Sequence, residues 1–533
     1  MPSISSKSTN SSLDRWILGL PLEAWVVLGI GLAFRAHAFV YTPVINPDGA
    51  LYIQQARALW YGLKGQVLAC YSYLSIYPIL IYLSHFIFKN WVVAAKAVSL
   101  FFGTLSMLPL FGLAKKFMNT RLAALCMLAV AINPSFVAGS SSVQRDPVYL
   151  FFASLGIFLF VLSLKEEKPA WMILSAASLL LAAWARIEAV VFIAGSAIFI
   201  ILRKELRWKN LAYFLFPIVM AGFIGLAILL EMGQMQFKLM GLNRVLAKAT
   251  GAISSYNVIR GHLKELIEQW SQTPGGYSMM HFFMRTRNVI WLIALASLVI
   301  QIKRGFFWPV FIFFIFGLPS IRKMMREYKE LAYLLLLGMM GFFALYVQIL
   351  SGWAMESRFI ALFLIPTLPI VGFGVEAVLK YVSRKFGWKQ PVILLLLGIF
   401  LIAPGVYKEL KASSDHNIIL KKIGEAIARK EREARAVEIA GTLRRMQLVH
   451  FYANLPYQGA PCFDSSLWLK PRDTSALEKA IDQGIEYFVY DEGNWSSQDL
   501  VTIEKKKGIF FETVQTWETP GFGKVRLLRI KRE

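Results

Sequence analysis

The sequence is short of charge, cysteine and acidic residues. Charged side chains make up 17% of its 533 positions, against about a quarter in soluble domains, which excludes a water-soluble globule of this length. Three cysteines (Cys70, Cys126 and Cys462) are too few for a disulfide scaffold, and no Cys/His spacing has the form of a zinc site. GxGxxG and P-loop signatures are absent, which removes the familiar nucleotide-binding readings. No internal repeat stands out. Only 33 acidic residues face 57 Lys and Arg, a net charge of +24.

What is abundant is apolar side chain. Hydrophobic residues are 56% of the chain and the mean hydropathy is +0.53, the profile of a polytopic membrane protein. The sequence pI near 9.8 would suggest nucleic acid in a soluble protein. Here the basic residues stand between apolar spans rather than on one folded face, so no nucleic-acid partner is expected. Cytoplasmic connectors obeying the positive-inside rule, and an anionic lipid or phosphate-bearing substrate, account for the charge instead.

Residues 1–13 are Ser-rich and polar and read as a disordered cytoplasmic tail. Ile17 to Val40 is too long for a signal-peptide core and lacks a small-residue cleavage site. It is long enough to cross about 30 Å of hydrocarbon and reads as a retained first span. Apolar runs follow at 92–113, 121–138, 146–164, 170–184, 187–202, 210–230, 286–302, 305–320, 331–350, 358–379 and 390–405. Tyr77 to Phe88 is shorter and suits an interfacial or re-entrant helix.

Basic connectors at Lys115-Lys116, Arg203-Lys204, Arg322-Lys323 and Arg384-Lys385 place the N-terminus inside. The loop after Val40 (41–91), the loop around Arg145, the stretch 232–285 and the C-terminal tail then lie outside. Twelve runs would return the C-terminus to the cytoplasm. The pair 286–302 and 305–320 is therefore read as one pass plus a re-entrant piece, and an odd number of spans, eleven to thirteen, is expected. A transmembrane domain over 14–407 precedes a soluble domain over 408–533. The latter has a charged helix from Ile418 to Arg435 and short β-like runs at 436–440, 487–490, 510–516 and 524–530, a small α/β domain serving as a structural or acceptor-recruiting lid. Cys70 and Cys462 both fall in external segments. A bridge between them is one option, two unpaired thiols the other and the favoured one; Cys126 reads as a small core residue.

The first external loop contains Asn46-Pro47-Asp48-Gly49-Ala50-Leu51-Tyr52. Pro47 sets an extended Asn46 before it, and Asp48 opens a helix with Tyr52 and Gln55 on one face. The plain reading of Asp48 is a carboxylate favoured by the helix dipole; the functional reading is a general base. Gln144-Arg145-Asp146-Pro147 in the second external loop offers either a helix cap or a head-group site. Arg186-Ile187-Glu188 interrupts two apolar runs, where charge is costly and usually paired or functional. Arg358, two residues after Glu356, either anchors a helix end or holds a phosphate with its planar fork.

These segments resemble the GT-C membrane glycosyltransferases, specifically the lipid-phosphate-sugar users related to protein O-mannosyltransferases and the lipid A aminoarabinose transferase. The likeness is carried by Asn46 to Tyr52, Tyr77-Pro78-Ile79-Leu80, Arg145-Asp146-Pro147, Arg186-Ile187-Glu188 and Ser357-Arg358-Phe359 leading to Leu364-Ile365-Pro366. It covers about residues 15–405, and the C-terminal domain more loosely. It implies an α-helical polytopic GT-C fold and transfer of a sugar, with inversion, from a polyprenyl-phosphate donor to an acceptor hydroxyl of a lipid, glycan or protein. The side implied is the extracytoplasmic face of a bacterial inner membrane.

By this resemblance Asp48 is the general base, Asp146 orients the acceptor or pairs with Arg145, Arg186 and Arg358 hold the phosphate, and Glu188 pairs with an arginine. Tyr52 and Lys64 complete the binding set. No metal or other cofactor is obligatory, although a divalent ion would be compatible. Two departures stand out: Gly49 occupies a position that is acidic in many relatives, and Ile76-Tyr77-Pro78 stands where relatives often have Lys-Pro-Pro. Lys64, Lys238, Arg285 and Arg287 are available to replace a missing basic contact. A transporter of an anionic lipid-linked substrate is the alternative, and would call for inverted repeats and helices broken near the midplane. A non-catalytic scaffold would leave Asp48, Arg186 and Glu188 unexplained.

Overall fold

The structure is a computed structural model. It describes residues 16–17, 20–71, 73–203, 207–231, 240–410, 417–431, 435–493, 495, 497–519 and 523–532. The expected N-terminal tail and Lys238 lie outside the described residues.

The helices, in chain order, are α1 (Leu22–Tyr41), α2 (Pro47–Trp60), α3 (Ile76–Phe88), α4 (Trp91–Leu105), α5 (Met107–Lys115), α6 (Thr120–Ala131), α7 (Pro134–Ser141), α8 (Asp146–Glu166), α9 (Pro169–Ala185), α10 (Val190–Leu202) and α11 (Arg207–Glu231). They continue as α12 (Met240–Ser271), α13 (Tyr277–Phe306), α14 (Trp308–Gly317), α15 (Ile321–Glu327), α16 (Leu331–Gly352), α17 (Ala361–Phe386) and α18 (Gln390–Leu410). The C-terminal region adds α19 (Ile418–Glu431), α20 (Met446–Ala453), α21 (Thr474–Asp482) and α22 (Ser497–Lys507). Its strands are β1 (Ile439–Gly441), β2 (Tyr487–Asp491), β3 (Ile509–Thr519) and β4 (Gly523–Arg532).

The chain divides into two compact units. The first comprises residues 1–38, 100–140 and 145–411; the second comprises 39–99, 141–144 and 412–533.

Among the described residues nine helical stretches are long and apolar enough to cross a membrane, an odd number. The bent pair α6–α7 and three shorter apolar helices, Ile76–Phe88, Pro169–Ala185 and Ile187–Leu202, bring the apolar segments to thirteen. One expectation changes. Residues 286–302 and 305–320 are not one pass plus a re-entrant piece: Tyr277–Phe306 and Trp308–Glu327 each have the length of a full span. The apolar run was underestimated because α13 starts nine residues earlier, carrying Arg285 and Arg287 within the helix.

In the first unit, α6 and α7 meet at 59°. Pro134 cannot donate to the helix ladder, and Asn133 locks the break: its side chain accepts from Ser135 N at 3.0 Å and donates to the Gly305 carbonyl at 2.9 Å. Helices α14 and α17 pack backbone to backbone. A Cβ on Gly317 would lie 1.9 Å from the Ile370 carbonyl oxygen, and one on Gly374 would lie 1.7 Å from that of Phe313, the close approach that small residues permit between membrane helices. Exposed Phe, Ile and Leu on α11, α13 and α18 form the apolar outer faces that a bilayer covers.

The second unit joins residues 39–99 to the C-terminal domain. Strands run in the order β1-β2-β4-β3; β1–β2 is parallel and the other two pairings are antiparallel, with a bulge at Thr513/Gln515. All four expected strands and the charged helix are present. Leu477, Ile481, Phe488, Tyr490, Ile503 and Leu528 form the core beside the sheet.

Candidate active site

Asp48 stands in the first turn of α2, with Pro47 at the start of the helix and Asn46 extended at its N-cap (ψ 158°). This combination presets the helix start and puts a half-buried carboxylate at the positive end of the helix dipole. Gly49 is buried under Val143. A Cβ there would lie 2.7 Å from Val143 Cβ and 2.8 Å from Asn46 Oδ1, so the acidic residue of many relatives has no room at this position.

The rest of α2 is held from every side within the second unit. Gln55 Nε2 donates to the carbonyls of Val67 (3.0 Å), Tyr71 (3.3 Å) and Tyr73 (3.1 Å). Arg57, fully buried, donates through both terminal nitrogens to the Asn454 carbonyl at 3.2 Å, and also to the Tyr457 carbonyl. Burial lowers its pKa to about 10, which leaves it charged at neutral pH. Upstream, the Ile45 amide donates to Tyr452 Oη at 3.0 Å and Lys421 Nζ donates to the Pro43 carbonyl at 3.3 Å. Cys70 and Cys462 form a disulfide, with Cα atoms 5.2 Å apart. The favoured reading of two unpaired thiols is thereby corrected; 392 residues separate the pair, a proximity that only the tertiary fold creates.

Tyr52 is 3% exposed. Its ring meets those of Tyr71 and Tyr77 edge-on, with centroids 5.8 and 5.5 Å away, so the structure places it inside an aromatic cluster that shapes the loop. Lys64 is exposed on a short 3-10 turn.

The other sequence candidates lie in the first unit, and four of them converge. Arg186, between α9 and α10, is 5% exposed at its side chain. It pairs with Asp146 Oδ1 and grips Glu188 bidentately, Nη2–Oε1 at 3.2 Å and Nε–Oε2 at 3.3 Å. Its guanidinium also sits 4.5 Å from the centre of the Phe359 ring. Arg358 Nη1 approaches Asp146 Oδ2 at 3.7 Å, while its Nε and Nη2 meet Glu356 at 2.7 and 3.1 Å. Asp146 thus pairs with Arg186 and Arg358. Arg145 stands half-buried at the start of α8, where its carbonyl accepts the Tyr149 amide at 3.1 Å. The Glu188–arginine pairing expected from the resemblance is present.

Asp146 and Arg358 line a small cleft with Ser135, Ser140, Tyr149 and Ala361. Tyr149 was not singled out in the sequence, where one tyrosine in an apolar run carries no signal. Its spacing of three from Asp146, one helical turn, was the available clue. Among the described residues no three His, Cys, Asp or Glu side chains converge as metal ligands, and Asp146 and Glu188 close on Arg186 instead. The donor set does not fit a resident divalent ion.

Residues 76–230 match the family model described as dolichyl-phosphate-mannose-protein mannosyltransferase. Among curated proteins none matches the chain by sequence. Among solved structures, the chain is similar to ArnT from Cupriavidus metallidurans, in the apo state (13% identity, TM-score 0.52, 95% of this chain and 97% of that one) and bound to undecaprenyl phosphate (12%, 0.52, 95% and 98%). It is also similar to the Archaeoglobus fulgidus oligosaccharyltransferase in complex with Zn and sulfate (14%, 0.54, 94% and 72%). The chain has the fold of the GT-C membrane glycosyltransferases, with a small C-terminal sheet domain.

Proposed function

We propose that this chain is an integral-membrane glycosyltransferase that moves a sugar from a polyprenyl-phosphate donor to an acceptor hydroxyl, with inversion, on the extracytoplasmic side of a bacterial inner membrane. The observation that carries most weight is the likeness of fold to a structure solved with undecaprenyl phosphate, in a chain that keeps a half-buried aspartate at the start of its first-loop helix. The disulfide supports the side of the membrane, because such bonds persist in oxidising compartments and are rare in the cytosol.

In this reading Asp48 is the general base. The acceptor oxygen attacks the anomeric carbon as its proton passes to Asp48. The bond from that carbon to the phosphate oxygen breaks, and its electron pair leaves on the lipid phosphate. A phosphate monoester is a stable anion, so the departing charge asks for cations rather than a proton. Arg358 is assigned that contact. Its partner Glu356 is 66% exposed, so an incoming phosphate can displace it at small cost. Arg186 is neutralised by two carboxylates and holds Asp146 and Glu188 in place behind Arg358. Arg145 and Lys64 are assigned to the donor's charged end and Asp146 to a substrate hydroxyl. The acceptor hydroxyl belongs to a lipid, glycan or protein.

The test uses purified full-length protein with a labelled polyprenyl-phosphate sugar and measures release of the lipid phosphate. Asp48→Asn should lower turnover by about 10² or more with donor binding retained; unchanged turnover removes Asp48 as the base. Arg358→Ala should instead weaken donor binding, and unaltered affinity removes its phosphate role.

A further inference from the structure

Helix α17 ends at Gly387, whose φ of +69° is the left-handed conformation in which glycine closes a helix, and α18 begins at Gln390. Arg384, Lys385 and Lys389 gather around this turn, and no Asp or Glu stands between Glu376 and Glu409. Among the described residues none of these cations has a carboxylate within ion-pair distance, whereas Lys380, one turn earlier, is paired with Glu376 at 2.5 Å. Lys385 Nζ instead donates to Tyr381 Oη at 3.1 Å and lies 5.6 Å from the centre of the Phe386 ring, which in turn is 5.8 Å from the ring of Trp388. Trp388 and Lys389 form the mouth of an open groove of about 200 Å³ that Val392 and Leu396 complete. Val392 and Leu396 stand four residues apart on α18, so the groove runs from a cationic mouth down one apolar helix face.

That gradient selects an amphiphile. Trp and Lys together at a helix end are the groups that membrane helices present to head groups, and basic pockets between helix ends bind anionic lipid phosphates. A soluble anion would leave Val392 and Leu396 uncovered, and a neutral lipid would leave the charge uncompensated. The positive-inside rule accounts for cations at this turn, but not for a groove that joins them to an apolar face. We infer that the α17–α18 turn binds an anionic phospholipid, its phosphate meeting Lys385 and Lys389, Trp388 packing on the glycerol region and an acyl chain covering Val392 and Leu396. The site is separate from the transferase reading: α17 has 26 residues, roughly 40 Å of helix, and Arg358 precedes its other end.

Purified full-length protein in a neutral detergent is titrated with phosphatidylglycerol, or with phosphatidylcholine of the same acyl chains, and bound lipid is counted by native mass spectrometry. Wild type is compared with Trp388→Ala, with Lys385→Gln/Lys389→Gln and with Arg322→Gln/Lys323→Gln, a control of equal charge at another basic connector. Unchanged melting temperatures confirm their folds. Wild type should hold its tightest phosphatidylglycerol about tenfold more strongly than phosphatidylcholine. Lys385→Gln/Lys389→Gln should lose about tenfold on phosphatidylglycerol and nothing on phosphatidylcholine, Trp388→Ala should weaken both, and the control should bind like wild type. Equal loss in the control would make the attraction a general property of basic connectors and overturn the inference. So would wild type that binds both lipids alike, no effect of Trp388→Ala or of Lys385→Gln/Lys389→Gln, or displacement of the lipid by inorganic phosphate. If Lys385→Gln/Lys389→Gln weakens undecaprenyl phosphate as much as phosphatidylglycerol, the groove serves a polyprenyl lipid and the phospholipid assignment falls.

Discussion

At the scale of single residues, the site is decided by what each side chain is already doing. Arg186 is paired with two carboxylates, so its removal would strand buried charge. Such losses cost about 3–5 kcal/mol and would be read as misfolding rather than lost binding. Gly49 gives a cleaner experiment. The acidic residue of many relatives would drive its Cβ into Val143 and Asn46 Oδ1, and overpacking a filled site costs about 1–3 kcal/mol. Gly49→Glu should therefore lower transfer activity about tenfold or more by tilting the first turn that carries Asp48, and Val143→Ala should restore part of it. A Gly49→Glu protein with full activity would show that the turn has slack the packing denies. Legibility differed residue by residue. Charges within apolar stretches betray themselves by cost, which is why Arg186, Glu188 and Arg358 were readable. Tyr149 and Arg57 were not, because a tyrosine or arginine near an apolar run has an ordinary surface role until its burial and partners are known.

At the scale of elements, α2 is the part most heavily restrained. Its own sequence accounts for its start: Asn46, Pro47 and Asp48 are strong N-terminal signals, and the structure begins the helix there. The four C-terminal strands were also legible: the start of β3 alternates buried and exposed positions, and β1 and β2 are short, continuously buried runs. Long-range partners were not: nothing local ties α2 to Asn454, Tyr457 or Cys462. These contacts assign the C-terminal region a positioning role toward the Asp48 helix. Native disulfides that close long loops contribute about 2–5 kcal/mol, and this one joins the first loop to the last domain. The Cys70→Ser/Cys462→Ser double variant should insert in the membrane normally, because no span contains either residue. Its 412–533 region should, however, be cut several times faster by protease, as should that of wild type under reductant. Equal digestion rates with and without the bridge would mean that Arg57 and the Ala58–Val67–Ala460 packing suffice to hold α2.

At the scale of the whole molecule, the +24 charge has to be distributed over two sides of a membrane. In the proposed orientation Lys115-Lys116, Arg203-Lys204, Arg322-Lys323 and Arg384-Lys385 fall under the positive-inside rule, which acts on short connectors. Arg145, Arg186 and Arg358 fall outside those connectors, and two of them are matched in the structure by Asp146, Glu188 and Glu356. In the proposed orientation the connectors carry part of the positive excess on the inner side, while the cluster around the cleft is balanced. This orientation can be tested with little background, since Cys70 and Cys462 are bonded and Cys126 is buried. Exposed positions make the best reporters. Position 49 is unsuitable, because a side chain there collides with Val143, whereas Lys64, Lys209 and Gln272 are all exposed. Lys64→Cys and Gln272→Cys should react with a membrane-impermeant maleimide in intact spheroplasts, and Lys209→Cys only after permeabilisation. The opposite pattern would turn the molecule over and put the Cys70–Cys462 bridge in a reducing compartment. Labelling of Lys64→Cys but not Gln272→Cys would leave the first loop outside and move the α12–α13 connection to the other face, changing the parity of the spans between them.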